Sequence, residues 1–265
     1  MLQGGRHIDG AHVYLNHGAI GNAIKEAVRR GVDRSEIFLT TKVDPSRYGY
    51  DLTTRTVESF LPELGLDYVD MVLMHAPSYP WIISTQCKRD GKTAAQCREE
   101  TWRALSDLRE KGVIRNAGVS NFAVKHLEHI ASLEGVAPIA NNQVEYNPFV
   151  PESINETFDY CKKHNISITA YFPLGGDIAN NAKAMKDEIL GQLSKKYGKS
   201  VSQIMLRWAI QRGCVVIPGT GNPKHMKENM EVVNFSLDDE DMKTINDLKY
   251  NVTGIVPPMD YSTAE

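Results

Sequence analysis

The sequence predicts an α/β fold built on a parallel sheet, of the (β/α)8 TIM-barrel type, and three observations carry that expectation. Short runs rich in β-branched residues alternate with amphipathic stretches of helical length along the whole 265-residue chain, the pattern of βα units. Polar residues gather at or just past the C-terminal ends of the runs: Asp9, Lys42, His75, Ser120 with Asn121, Gln143 with Glu145, and Tyr171. In a closed barrel those ends converge on the face that carries barrel active sites. The alternative layout, an open doubly wound sheet, would place G-x-G-x-x-G directly after an early strand, whereas the only glycine-rich strand exit here is GTGNPK, 219 to 224.

Seven strands are expected: RHID (6 to 9), EIFLTTK (36 to 42), VDMVLMH (69 to 75), VIRNAGVS (113 to 120), IANNQVE (139 to 145), ISITAYF (166 to 172) and CVVIP (214 to 218). The helical patterns between them are GAIGNAIKEAVRRG (18 to 31), TTRTVESFLPELG (53 to 65), EETWRALSDLREKG (99 to 112), KHLEHIASLEG (125 to 135), PESINETFDYCKKH (151 to 164) and SVSQIMLRWAIQRG (200 to 213). PKHMKENMEVV (223 to 233) opens with Pro at a first-turn position, and DDEDMKTINDL (238 to 248) opens with acids that suit the helix dipole. Gly31 stands where a C-terminal cap belongs. Length and the even spread of Pro and Gly predict one domain, 1 to 265.

The formal charge of -3, with both signs mixed along the chain, gives no basic face for a phosphate backbone, so nucleic acid is excluded as a partner. No stretch reaches the roughly 20 apolar residues that cross a bilayer, and Arg6, His7 and Asp9 stand where a signal peptide would be apolar. The expectation is a soluble, cytoplasmic chain with no membrane partner. Four cysteines, Cys87, Cys97, Cys161 and Cys214, form no C-x-x-C pair and no zinc spacing, so no metal site is expected. Cys87 and Cys97 flank one hydrophilic loop and are a candidate bridge, with free thiols the default in a cytosolic chain. The sequons at Asn155, Asn165, Asn234 and Asn251 read as chance without a secretory signal. His7, His12 and His17 lie close together without a metal-ligand pattern and read as structural or solvated. The KK and KRD runs read as solvated faces.

Asp9, Tyr14, Lys42 and His75 come from three successive βα units and can therefore be neighbours. A phenol with an ordinary pKa near ~10 donates its proton poorly at neutral pH. A neighbouring ammonium would stabilise the tyrosinate and lower that value. The ammonium, partly buried, needs a carboxylate such as Asp9. His75 can hydrogen-bond a substrate oxygen held near the phenol. Together these groups make a polarised proton donor aimed at a carbonyl.

That set resembles the tetrad of the aldo-keto reductases, and the resemblance runs from residue 6 to about residue 250. RHIDGAHVY, LTTK, LGLDYVDMVLMHAP, GVIRNAGVSNF, NNQVEYNPF and AYFPLG match the family's patterns in the same order. The resemblance implies NAD(P)H-dependent hydride transfer to an aldehyde or ketone, with Tyr14 as general acid. It also implies that Ser120, Asn121 and Gln143 bond the nicotinamide carboxamide, that Tyr171 stacks on the ring, and that Leu174, Gly175 and Gly176 lie along the pyrophosphate. An amide clamp sets which ring face reacts, and an aromatic platform holds the ring plane. In IPGTGNPKHMKEN, Glu228 and Asn229 would meet the adenine and Thr220, beside Pro218, the ribose phosphate, with backbone N–H groups of a helix starting near Pro223 as an anion site. Glu145 is expected to support the site.

Three departures from the family pattern stand out. Members that prefer NADP usually carry a lysine after the IP of the last strand and an arginine beyond it; here Gly219 and His225 stand there. A bidentate, always charged clamp gives way to a partly charged ring, with Lys224 and Lys227 as partial compensation; NADPH is expected over NADH, and NADH remains the alternative. The family's N-terminal hairpin, first barrel strand and first helix have no counterpart before RHID, which leaves seven of eight strands and an open edge that another segment or partner would fill. Val43-Asp44 and Ala76 replace aromatics around the substrate, giving a roomier pocket covered by the loop from Pro77 to Arg98, with Tyr79, Trp81 and Trp102 near its ends. The runner-up reading is a non-catalytic scaffold or regulatory subunit on the same fold; the intact tetrad favours the enzyme.

Overall fold

In the computed structural model residues 4–78, 84–175, 182 and 184–248 are described. The strands are β1 (His7–Asp9), β2 (Phe38–Val43), β3 (Val69–Met74), β4 (Ile114–Ser120), β5 (Asn141–Glu145), β6 (Ser167–Tyr171) and β7 (Cys214–Val216). They stand in the sheet in chain order, β1 to β7, and the ladders β1–β2, β2–β3, β3–β4 and β6–β7 are parallel. The register sets Asp9 opposite Thr40, and Lys42 opposite Leu73.

The helices are α1 (His17–Arg29), α2 (Tyr50–Leu64), α3 (Thr85–Arg89), α4 (Ala94–Glu110), α5 (Val124–Ala131), α6 (Glu152–Lys163), α7 (Glu188–Tyr197), α8 (Val201–Gln211), α9 (Pro223–Met230) and α10 (Asp239–Asn246). Every expected strand and helix therefore has a counterpart. The differences are α7, which is not among the expected helices, and α3, which forms inside the loop expected from Pro77 to Arg98. The chain divides into two compact units between Asn142 and Gln143.

In the first unit, the core comprises Leu39, Val57, Phe60, Val72, Leu73, Trp102, Leu105 and Ile114, all essentially inaccessible. Helices α1 and α2 approach so closely that a Cβ on Gly21 would collide with the carbonyl of Leu64, which explains a glycine in mid-helix. Gly65 ends α2 in the left-handed region, at φ 64°, where a side chain would be strained. Thr93 and Gln96 close a reciprocal capping box at the start of α4. Trp102 is fully buried and its indole N–H donates to Ala137 O at 3.1 Å. It is thus a core residue and not the pocket cover expected of it; Tyr79 and Trp81 lie outside the described residues. Cys87 and Cys97 form a disulfide across Cα atoms 6.0 Å apart, within the ordinary span.

In the second unit, the Tyr146 ring stacks between Phe158, at 4.8 Å, and Trp208, at 5.3 Å. The Arg212 guanidinium lies over Phe158 and donates to the Tyr146 hydroxyl at 3.1 Å. Ser200 caps α8 in a second reciprocal box with Gln203. The KK run at Lys195–Lys196 is exposed, but Lys196 pairs with both Asp238 and Asp241 and so joins α7 to the start of α10.

Candidate active site

The four proposed catalytic residues lie in the first unit, at the C-terminal ends of its first three strands. Asp9 closes β1, and the chain then makes a single 3-10 turn, His12–Tyr14, before α1. The backbone N–H of Tyr14 donates to Ala11 O at 3.0 Å and that of Leu15 to His12 O at 3.2 Å. Lys42 is 1% exposed. Its ammonium pairs with the Asp9 carboxylate and donates to Gly10 O at 2.9 Å. Its nitrogen lies 5.4 Å from the Tyr14 ring centroid, and the His75 ring meets the Tyr14 ring edge-on at 5.8 Å.

The electrostatics differ from the expectation in one respect. Tyr14 has its pKa raised, first by partial burial and then by the negative charge of Asp9. The expected lowering by Lys42 is absent: the ammonium directs its protons at the Asp9 carboxylate and the Gly10 carbonyl, and the phenol hydroxyl has no hydrogen-bond partner among the described residues. Burial lowers the Lys42 pKa, against the opposing pull of Asp9. His75 is pushed down to about 4, by burial first and by the Lys42 charge second. The ring is therefore neutral at pH 7, and its Nδ1 is buried with no hydrogen-bond partner.

Ser120, at the end of β4, is buried. Asn121 follows it in the left-handed region at φ 62°, a conformation asparagine tolerates better than most residues. Its side-chain amide donates to His75 O at 3.1 Å and to Ser120 Oγ at 3.2 Å. Tyr48, which the sequence reading passed over, donates its hydroxyl to Ala76 O at 2.5 Å and so holds the residue after His75. Nothing in its local pattern marks it; only the fold brings it there. His7 and His17 are structural: His7 bonds Thr40 Oγ1 at 2.9 Å, and His17 bonds Thr41 and Glu63, while the buried Nδ1 of His12 has no hydrogen-bond partner among the described residues.

In the second unit, Gln143 is buried on β5 and Tyr171, half-buried at the end of β6, meets Phe172 edge-on at 5.4 Å. Glu145 accepts from the Asn147 side-chain amide at 3.3 Å, and Asn147 in turn donates to Phe172 O at 3.2 Å. Leu174 is partly buried and Gly175 buried at φ 93°; Gly176 lies outside the described residues. Beyond β7, Pro218 and Thr220 are partly buried, His225 is exposed, and Glu228 and Asn229 are partly buried on α9. The anion site expected at the start of α9 has fewer free donors than the sequence reading assumed: Pro223 has no N–H, and Asn222 Oδ1 already accepts from Lys224 N at 2.9 Å. Gly219 and Gly221 have nothing within 4 Å of a Cβ position, which leaves room for close approach to the backbone there.

The family that the resemblance named is the one that comparison with known proteins finds. The sequence model of the Aldo/keto reductase family matches residues 2–249. The chain belongs to that family, has the family's α/β, (β/α)8 TIM-barrel type of fold with seven strands among the described residues, and is an NAD(P)-dependent oxidoreductase acting on carbonyl groups. It is similar to the 9,11-endoperoxide prostaglandin H2 reductase of Trypanosoma cruzi (strain CL Brener), 37% identical over 246 residues, covering 92% of this chain and 78% of that one. It is also similar to the glyoxal reductase of Bacillus subtilis (strain 168), 38% identical over 248 residues, covering 94% and 80%. Among solved structures, an aldo-keto reductase of Bombyx mori in complex with NADP superposes with a TM-score of 0.84 at 31% identity, covering 98% of this chain and 83% of that one. No helix among the described residues is long and apolar enough to cross a membrane.

Proposed function

We propose that the protein reduces a small-molecule aldehyde or ketone to the alcohol with NADPH, and that Tyr14 is the general acid. The observation that carries this reading is the buried Lys42–Asp9 pair with the Tyr14 ring 5.4 Å from the ammonium and the His75 ring beside it. The raised phenol pKa keeps Tyr14 protonated at neutral pH but makes it a weaker acid, so the reading rests on the placement of the phenol and not on its acidification. A neutral His75 presents Nε2 as a hydrogen-bonding group for the carbonyl oxygen and fixes its orientation. As negative charge develops on that oxygen, the Tyr14 O–H bond breaks and the carbonyl oxygen takes the proton, leaving a tyrosinate. Solvent then returns a proton to Tyr14.

The residues fit a nicotinamide cofactor by their chemistry. Ser120, Asn121 and Gln143 offer the hydroxyl and amide groups that a carboxamide needs, Tyr171 an aromatic face, and the open backbone at Gly219 and Gly221 room beside phosphate. When bound, the reduced nicotinamide supplies the hydride. Leu174, Gly175, Gly176, Pro218, Thr220, His225, Glu228 and Asn229 are proposed to hold the rest of the dinucleotide. NADPH is preferred in this reading because Lys224 and Lys227 flank His225 on α9 and add positive charge near the expected phosphate; the relative crystallised with NADP points the same way. Glyoxal and prostaglandin reductases among the relatives make small reactive aldehydes and larger endoperoxides or ketones the substrates to try first. We also take residues 1–265 as one functional domain, since a single family model spans residues 2–249.

The test is the absorbance of NADPH with 4-nitrobenzaldehyde and the purified chain. Tyr14→Phe should lower kcat at least about a hundred-fold, the range of one general acid, with NADPH binding nearly unchanged. Turnover retained in that variant would remove Tyr14 from the role, and NADPH binding without turnover in the wild type would return the scaffold reading.

A further inference from the structure

We propose that His17 is a positioning residue for the proton donor: it ties the loop that carries Tyr14 to the strand that carries Lys42. The proposal rests on the assignment of Tyr14 as general acid.

His17 opens α1, three residues after Tyr14, and is 4% exposed. Its Nε2 lies 2.8 Å from Thr41 Oγ1 and its Nδ1 3.0 Å from Glu63 Oε2, and its ring meets Phe60 edge-on at 4.7 Å. An ionised carboxylate only accepts, so in the neutral ring Nδ1–H donates to Glu63 and Nε2 accepts from the Thr41 hydroxyl. Thr41 immediately precedes Lys42 on β2, and successive strand side chains point to opposite faces. The His17 bond therefore holds the strand from directly behind the lysine, while the ammonium faces Asp9.

The loop between Gly10 and His17 is thus fastened at both ends to the same three residues of β2. At its entry, Gly10 N donates to Thr40 O at 2.8 Å and Lys42 Nζ donates to Gly10 O at 2.9 Å; at its exit stands the His17–Thr41 bond. Tyr14 hangs between these ties, 51% exposed, with no side-chain hydrogen bond among the described residues. Its distance from Lys42 is then set by the backbone that carries it. Leu15 supplies independent support: it sits at φ 52° and is 90% exposed. A bulky residue persists in that strained region only where its surroundings over-determine the backbone, and the two ties do so.

The decisive variants are Thr41→Val, which keeps the shape and removes the hydroxyl, His17→Ala, and the conservative His17→Gln. Ring-labelled tyrosine followed by 13C NMR, with the Tyr14 signal assigned by its loss in Tyr14→Phe, reports the phenol without any turnover. Thr41→Val and His17→Ala should release the loop, move the Tyr14 titration down toward the ordinary tyrosine range, and lower kcat about ten-fold with KM for the aldehyde changed less than about two-fold. His17→Gln should restore both. An unchanged Tyr14 titration and kcat in Thr41→Val, with only thermal stability reduced, would make His17 an ordinary packing residue and overturn the proposal. A wild type without turnover would count against the reductase reading alone, because the NMR titration would still decide the role of His17.

Discussion

The four residues proposed as catalytic show why a list of side chains does not fix their electrostatics. Asp9, Tyr14, Lys42 and His75 stand together, but the field at the phenol is set by its partial burial and by the Asp9 charge rather than by the ammonium. Asp9, Tyr14, Lys42 and His75 could be read from strand ends in the sequence. The raised pKa of Tyr14 could not, because it follows from partial burial and from the Asp9 charge. His75 offers a direct measurement of this environment. Its pKa falls from an ordinary 6.5 in the unfolded chain to about 4 in the fold, so below pH 6.5 the unfolded state binds a proton that the folded state refuses. The stability associated with the neutral ring is complete above the unfolded value and is lost as pH falls through the window between about 6.5 and 4. Urea denaturation at pH 7 and pH 4.5 should show the wild type losing about 2 kcal/mol more than His75→Phe over that interval. Equal losses would mean that the imidazole is solvated in the folded state.

Strands and most helices were legible in the sequence because their signals are local: a run of β-branched residues or an apolar stripe is present in the residues themselves. Boundaries shifted where tertiary partners set them. Helix α2 begins at Tyr50, three residues before its apolar pattern does, because Gly49 bonds Thr101 Oγ1 at 2.9 Å and the Gln86 side chain accepts from Leu52 N at 2.8 Å. Both partners lie beyond β3, so no local window contains them. The same holds for α3, a helix of one and a half turns whose Ser84 cap also donates to Tyr48 O at 2.5 Å. The cysteine pair was a candidate that spacing alone left open, and the structure closes it. Its sequence separation of 10 gives a loop-closure stabilisation of about 2–3 kcal/mol on the chain-entropy model. In 6 M guanidinium without reductant, a thiol reagent should therefore titrate two cysteines per chain, Cys161 and Cys214, and four only after reduction. Four thiols before reduction would show the pair to be open, and Cys87→Ser would then leave the urea midpoint where it was.

At the scale of the whole chain, the family and the barrel type followed from order: several strand-end motifs arrive in one sequence with the spacing of successive βα units, and the fold repeats that order strand by strand. Cofactor choice is less legible, because it depends on a few exposed charges at the last strand and the helix after it, where Gly219 and His225 depart from the pattern of NADP-preferring relatives. The Lys224 ammonium lies 3.9 Å from Glu228 across one helical turn and is largely exposed, so it can turn to a phosphate at little cost; such exposed pairs contribute about 1 kcal/mol or less. A ligand that binds only the folded chain raises its stability by about 2.7 kcal/mol at a hundred times its Kd. For a chain of this size that corresponds to a rise in Tm of roughly 5 °C. NADPH should produce that shift, NADH a smaller one at equal concentration, and the difference should shrink with added salt because it rests on an exposed phosphate among lysines. Lys224→Ala combined with Lys227→Ala should bring the two cofactors to the same shift while leaving the NADH value unchanged. If NADH already matches NADPH in the wild type, the exchange of lysine and arginine for Gly219 and His225 has removed the preference, and the lysines of α9 contribute nothing to it.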